Sequence, residues 1–169
     1  MPQRSIRILL LMMLAATPLF ARGDARFRLD AADIRALEKS GHLVKIGADA
    51  WKTRGGALLT GRDPGGLTRL EHIMRHTVDA PGRPKHGVFS IGRADVIELL
   101  DRVIARIRTG SAGAGKTRGD RVAYTVDAGS VVGYLGGREG KKRHHPKLTR
   151  VRLVVKKGAM EVVTFFPVK

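Results

Sequence analysis

Apolar residues along the chain fall into patches whose spacing alternates between helical and strand-like. From Ala94 to Arg108, Val96, Ile97, Leu100, Val103, Ile104 and Ile107 recur at steps of three and four, which predicts an amphipathic helix packed across a sheet. Leu67, Leu70, Ile73 and Met74 repeat in the same way within LTRLEHIMRH and predict a helix over 67–76. A short helix over 31–39 is predicted by Asp30 as its N-cap and by Ser40–Gly41 as its stop. Leu43, Val44 and Ile46 suggest a short strand, and 86–91, 121–127, 130–135, 148–156 and 159–166 read as further strands. Lys157–Gly158 would join the last two as a hairpin. The stretches 54–66 (RGGALLTGRDPGG), 109–119 and 136–147 (GGREGKKRHHPK) read as loops. The expected fold class is α+β, with N-terminal helices packed on an antiparallel sheet of four or five strands that ends in a C-terminal hairpin.

Arg4 and Arg7 precede the apolar run Ile8–Phe20, and the small residue Ala21 follows, which is the pattern of a signal peptide cleaved near Ala21. The run is shorter than the ~20 residues of a spanning helix and Pro18 interrupts its end, so no stable membrane anchor is expected after cleavage. The expectation is a secreted or periplasmic protein with a signal peptide (1–21), an N-terminal helical lead (22–53) and a main domain (54–169).

Charge narrows the partners and cysteine narrows the chemistry. The 169 residues include 32 Lys plus Arg, 15 Asp plus Glu and no Cys, for a net charge of +17. Loss of residues 1–21 removes two arginines and no acid, leaving +15. Such a chain seeks polyanions: nucleic acid, anionic lipid or cell-wall polymer, or an acidic protein. Without cysteine there is no disulfide scaffold, Cys-ligated zinc, iron–sulfur cluster or thiol nucleophile. Residues 110–117 (GSAGAGKT) match the phosphate-binding loop GxxxxGK(S/T) literally. That motif works between a buried strand and a helix N-terminus, whereas here a helix precedes it and a strand follows, so it is set aside.

The candidate chemistry lies on the 67–76 helix. At 100° per residue, Arg69, His72 and His76 fall within roughly 60° of one another, on the face away from the apolar stripe. Two imidazoles at i and i+4 can flank one phosphodiester, one taking a proton from an attacking hydroxyl and the other giving one to the leaving oxygen. Arg69, Arg83, Lys85 and Arg152 are candidates to stabilise the added charge. The same pair could chelate zinc with His86 as third ligand, or be merely solvated on a basic helix. His144 and His145 fit polyanion contacts, His42 a structural role, and Thr164 a hydroxyl bonded to a phosphate oxygen.

In order along the chain, RLEHIMRHTVDAPGRPKHGVFSI, DVIELLDRVI, AYTVDAGSVVGYLGG and VRLVVKKGAMEVVTFFPV together resemble the bacterial EndoU-like toxin nucleases of the barnase-EndoU-colicin-RelE superfamily. The resemblance covers about residues 54–168. It implies metal-independent endoribonuclease activity without a cofactor, in which the 2′-hydroxyl attacks the adjacent phosphate and leaves a 2′,3′-cyclic phosphate. Carried across, His72 and His76 match the helix histidines, Lys85 and His86 the basic position before Val88–Phe89, and Thr164 the terminal hydroxyl. Phe166 stands where the family has Tyr, keeping a ring for base stacking and losing its hydroxyl. RNA is the implied substrate, with Arg69, Arg83, Arg152, Phe166, Lys141, Lys142 and Arg143 as its binding residues. A toxin would also require an acidic immunity protein. The competing reading is a non-catalytic basic module that binds polyanions in the periplasm or cell exterior.

Overall fold

The computed structural model describes residues 27–169; the expected signal peptide and its cleavage point lie outside the described residues. Helix α1 (Ala31–Lys39) begins where Asp30 accepts the Asp33 N–H at 2.7 Å and ends at Ser40, followed by the left-handed Gly41. After it come strands β1 (Leu43–Gly47), β2 (Ala50–Thr53) and β3 (Leu58–Leu59), a small antiparallel sheet in that order. The lead is therefore not purely helical, and the glycine-rich stretch after Thr53 contains a strand. Leu43 is buried, whereas Val44 and Ile46 face solvent. Leu37, Leu43 and Trp51 belong to the same hydrophobic core as Ile97 and Phe165, so residues 27–53 fold onto the rest.

Helix α2 (Arg69–Met74) opens with a capping box, in which Glu71 Oε2 accepts the Thr68 N–H at 2.8 Å and Thr68 Oγ1 accepts the Glu71 N–H. Leu70, Ile73 and Met74 are fully buried. The predicted helix is cut short here, because Arg75–Thr77 tighten into a 3-10 turn. Strand β4 (His86–Phe89) and the long helix α3 (Arg93–Arg108) follow, with Val96, Ile97, Leu100, Val103 and Ile104 buried as their spacing predicts.

The remaining elements are β5 (Lys116–Arg118), β6 (Arg121–Asp127), β7 (Gly133–Gly136), α4 (Gly137–Lys142), β8 (Lys147–Leu148), β9 (Arg150–Lys156) and β10 (Val162–Val168). The main sheet is antiparallel, in the order β10-β9-β6-β5, and β9 and β10 form the expected C-terminal hairpin around the left-handed Gly158. A second sheet has the order β4-β7-β8. The architecture is α+β. Helix α4 replaces part of the expected basic loop. Gly140 permits this, because a Cβ there would meet the Leu135 carbonyl oxygen at 2.0 Å, and the Arg138 and Glu139 N–H groups bond Arg83 and Pro84 carbonyls. The GxxxxGK(S/T) match runs from the end of α3 into β5, the wrong context for phosphate.

Strand alternation gives the main sheet two unlike faces. Register aligns Val122, Val155 and Val162 in one row, and Tyr124, Leu153 and Phe165 in another, on the core side. The other face aligns Thr164 with Val154 and Ala123, and Phe166 with Arg152 and Thr125. A β-bulge at Val163 sets this phase. Strand β4 crosses close to the end of β10: a Cβ on Gly87 would lie 1.9 Å from the Pro167 carbonyl oxygen. Beside this crossing His76 of the 3-10 turn stacks on Phe166, and His86 stacks on His76.

Candidate active site

The site begins with a residue that sequence reasoning missed. Asp63 sits in the turn Asp63–Gly66, where its Oδ1 accepts the N–H groups of Gly65 (2.8 Å) and Leu67 (2.9 Å). Its other oxygen faces His72 Nδ1 at 2.7 Å and Arg75 Nη1 at 3.5 Å. Burial acts to raise the Asp63 pKa, but hydrogen bonds from His72 and the Leu67 N–H outweigh it and leave the pKa below its ordinary value. The group is therefore an acceptor, which makes His72 Nδ1 the donor. Burial lowers the His72 pKa despite the Asp63 hydrogen bond, so the ring is neutral at pH 7 and Nε2 carries the lone pair. That nitrogen lies 3.2 Å from Thr164 Oγ1, whose hydroxyl donates to it. Asp63, His72 and Thr164 thus form a carboxylate–imidazole–hydroxyl chain.

Two residues on from Thr164 along β10, Phe166 stacks on His76 of the 3-10 turn, with ring centroids 5.1 Å apart. The other face of His76 is stacked on His86 at 4.7 Å. The expectation that His76 shares a solvent-facing stripe with His72 is corrected, since only 6% of His76 is exposed. The helical projection fails because the chain tightens at Arg75 and because Phe166 and β4 cover the ring. His76 donates its Nδ1–H to the Gly87 carbonyl at 2.9 Å. Burial, with the neighbouring His86 ring next in weight, pushes its pKa down to about 3. His86 is buried as well and donates Nε2–H to the Val78 carbonyl at 3.1 Å, so it backs His76 instead of facing solvent.

The cations divide into two groups. Arg69 donates from Nη1 to the Val163 carbonyl at the bulge, 2.5 Å away, and fixes the strand beside Thr164. Arg75 flanks Asp63, and Arg152 lies exposed opposite Phe166. Arg83 is half-buried before β4, and burial lowers its pKa. Lys85, Lys141, Lys142 and Arg143 gather instead around α4, where Glu139 pairs with Lys85 (3.2 Å) and Arg143 (3.4 Å). His144 and His145 follow in left-handed conformations, and His145 Nδ1 lies 3.2 Å from the Leu135 carbonyl. Among the described residues no cluster of three or more His, Asp or Glu side chains is arranged to hold a metal ion.

Comparison of the chain with protein-family models, curated proteins and solved structures finds no match.

Proposed function

We propose that the protein is an exported, metal-independent endoribonuclease. The observation that carries this reading is the His72 Nε2 to Thr164 Oγ1 contact, with Asp63 behind it and a cationic sheet face beside it. A ribose 2′-hydroxyl that replaces the threonine hydroxyl at Nε2 gives up its proton there as its oxygen attacks the adjacent phosphorus. Thr164, released from the imidazole, donates to a non-bridging oxygen, and Arg69 and Arg75 offset the charge that develops. The departing 5′-oxygen takes its proton from water; His76, expected from the sequence as one of the acid–base pair, is neutral and its ring N–H is bonded to the Gly87 carbonyl, so it supports Phe166 instead. The products are a 2′,3′-cyclic phosphate and a free 5′-hydroxyl. Exported by its leader, such an enzyme would act as an antibacterial toxin and would need an acidic immunity protein in the producing cell.

One observation favours the alternative, a non-catalytic binder of polyanions: His76 and His86 are buried and, by the direction of their shifts, uncharged at pH 7. End-labelled RNA incubated with the purified protein in excess chelator separates the readings. The proposal expects shortened products with cyclic-phosphate ends; RNA that is bound and remains intact would overturn it.

A further inference from the structure

The face of the main sheet that carries Thr164 and Phe166 also carries a set of cations that the chemical step does not use. Three rows run across the strands. Phe166, Arg152 and Thr125 form the first row; Thr164, Val154, Ala123 and Lys116 the second; Lys156, Arg121 and Arg118 the third. Val154 and Ala123 are half-buried and short, whereas Arg152, Lys156, Arg121, Arg118 and Lys116 are exposed. Between Thr164 and Lys116 the middle row is thus a low floor, with Arg152 on one side and Lys156, Arg121 and Arg118 on the other. It starts at the His72–Thr164 pair and ends at the edge strand β5.

Charge on this face is only partly answered by acids. Lys156 pairs with Glu161 at 2.6 Å, and Arg121 lies 3.7 Å from the exposed Asp120. No acidic side chain among the described residues forms an ion pair with Arg118, Arg152 or Lys116. Arg69, bonded to the Val163 carbonyl, adds a cation beside Thr164. Around α4, by contrast, Glu139 already engages Lys85 and Arg143.

We infer that a single strand of RNA crosses the main sheet perpendicular to β10, β9, β6 and β5 along the Thr164–Val154–Ala123–Lys116 row, its phosphates held by Arg152 on one side and by Arg121 and Arg118 on the other. Three inter-strand steps of about 4.8 Å give a path of roughly 14 Å. The two sides, four residues apart along β9, stand roughly 13 Å apart, so one strand lies between them. A duplex is excluded by chemistry as well as width, because an A-form helix holds the 2′-oxygen away from the in-line direction that attack on its own phosphate requires. The proposal rests on the ribonuclease reading for the identity of the strand, and the phosphate contacts themselves are independent of base sequence.

A fully 2′-O-methylated oligoribonucleotide, which resists cleavage, is the probe, and its affinity is measured by fluorescence anisotropy across a salt series. Removing one phosphate-binding cation from a single-stranded complex lowers the slope of log K against log salt by about 0.7. The double variant Arg118→Ala/Arg121→Ala is expected to lower the slope by about 1.4, and Arg152→Gln by about 0.7, each with weaker binding. Affinity and slope equal to the parent in both variants would overturn the path, as would equally tight binding of a duplex of the same sequence. Incubation of the parent protein with the unmethylated oligoribonucleotide keeps the two claims apart. Intact RNA with reduced slopes means that the path stands and the nuclease reading fails; cut RNA with unchanged slopes means the reverse.

Discussion

His72 Nε2 stands 3.2 Å from Thr164 Oγ1, joining α2 to the last strand across 92 positions of sequence, while Asp63 holds the opposite ring nitrogen at 2.7 Å. Three local devices converge on this pair. The turn at Asp63–Gly66 aims a carboxylate, the Thr68–Glu71 capping box starts the helix, and the bulge at Val163, held by Arg69, sets the phase of β10.

Thr164 acts through its hydroxyl, so Thr164→Ser should keep most of the cleavage rate and Thr164→Val should lose roughly 10²-fold, the scale of one transition-state hydrogen bond. Steady-state kinetics on a short RNA substrate checks this. Equal rates in the two variants would remove Thr164 from the chemistry.

Asp63→Asn tests the ring orientation. An amide N–H directed at His72 Nδ1 makes that nitrogen the acceptor and moves the proton to Nε2, where it can no longer accept one. The rate should fall by about 10⁴-fold with the fold intact, and nitrogen NMR shifts of His72 should report the exchanged tautomer. A rate near that of the parent would show that His72 does not work as the base.

His76 remains neutral in the folded protein down to about 3, whereas an unfolded histidine takes up its proton near 6.5. Between these values the unfolded chain binds the extra proton, so stability is lost as pH falls below about 6.5, by about 1.4 kcal/mol per pH unit for one such group. His72 and His86 shift in the same direction, with burial the leading cause for each. Urea unfolding between pH 7 and pH 4 should show this decline, and His76→Phe should make it shallower by about 1 kcal/mol per pH unit. An identical decline in the variant would contradict the buried neutral ring.

Much of this arrangement was legible in the chain. The period of three and four gave α3 and its buried residues, and Asp30 marked the start of α1. The last two strands and their turn followed from alternation around Lys157–Gly158. His72 and Thr164 were legible as residue types that suit the chemistry, and the structure brings them together. Asp63 was not, because its role depends on a chain reversal; the sign available was an Asp before Pro64 and two glycines, where a carboxylate commonly bonds the following N–H groups. A single helical projection puts His76 on the exposed face with His72, and it fails because the chain passes into a 3-10 turn at Arg75. Strand β2 was too short and too mixed to stand out, and α4 is held by backbone bonds and a close glycine that composition does not reveal.

Gly87 is required by proximity alone. A methyl group there would collide with the Pro167 carbonyl and push β4 away from β10, separating His76 from Phe166. Gly87→Ala should destabilise the protein by on the order of 2 kcal/mol in denaturant unfolding. Unchanged stability would mean that the two strands do not meet this closely.

The most direct test is single-turnover cleavage of one RNA substrate at saturating protein, in excess chelator, by the parent and by His72→Ala, with affinity for the methylated oligoribonucleotide measured alongside. Loss of the proton acceptor should slow cleavage by at least about 10²-fold and leave binding within a few-fold of the parent. Cleavage by His72→Ala at the parent's rate would contradict the account.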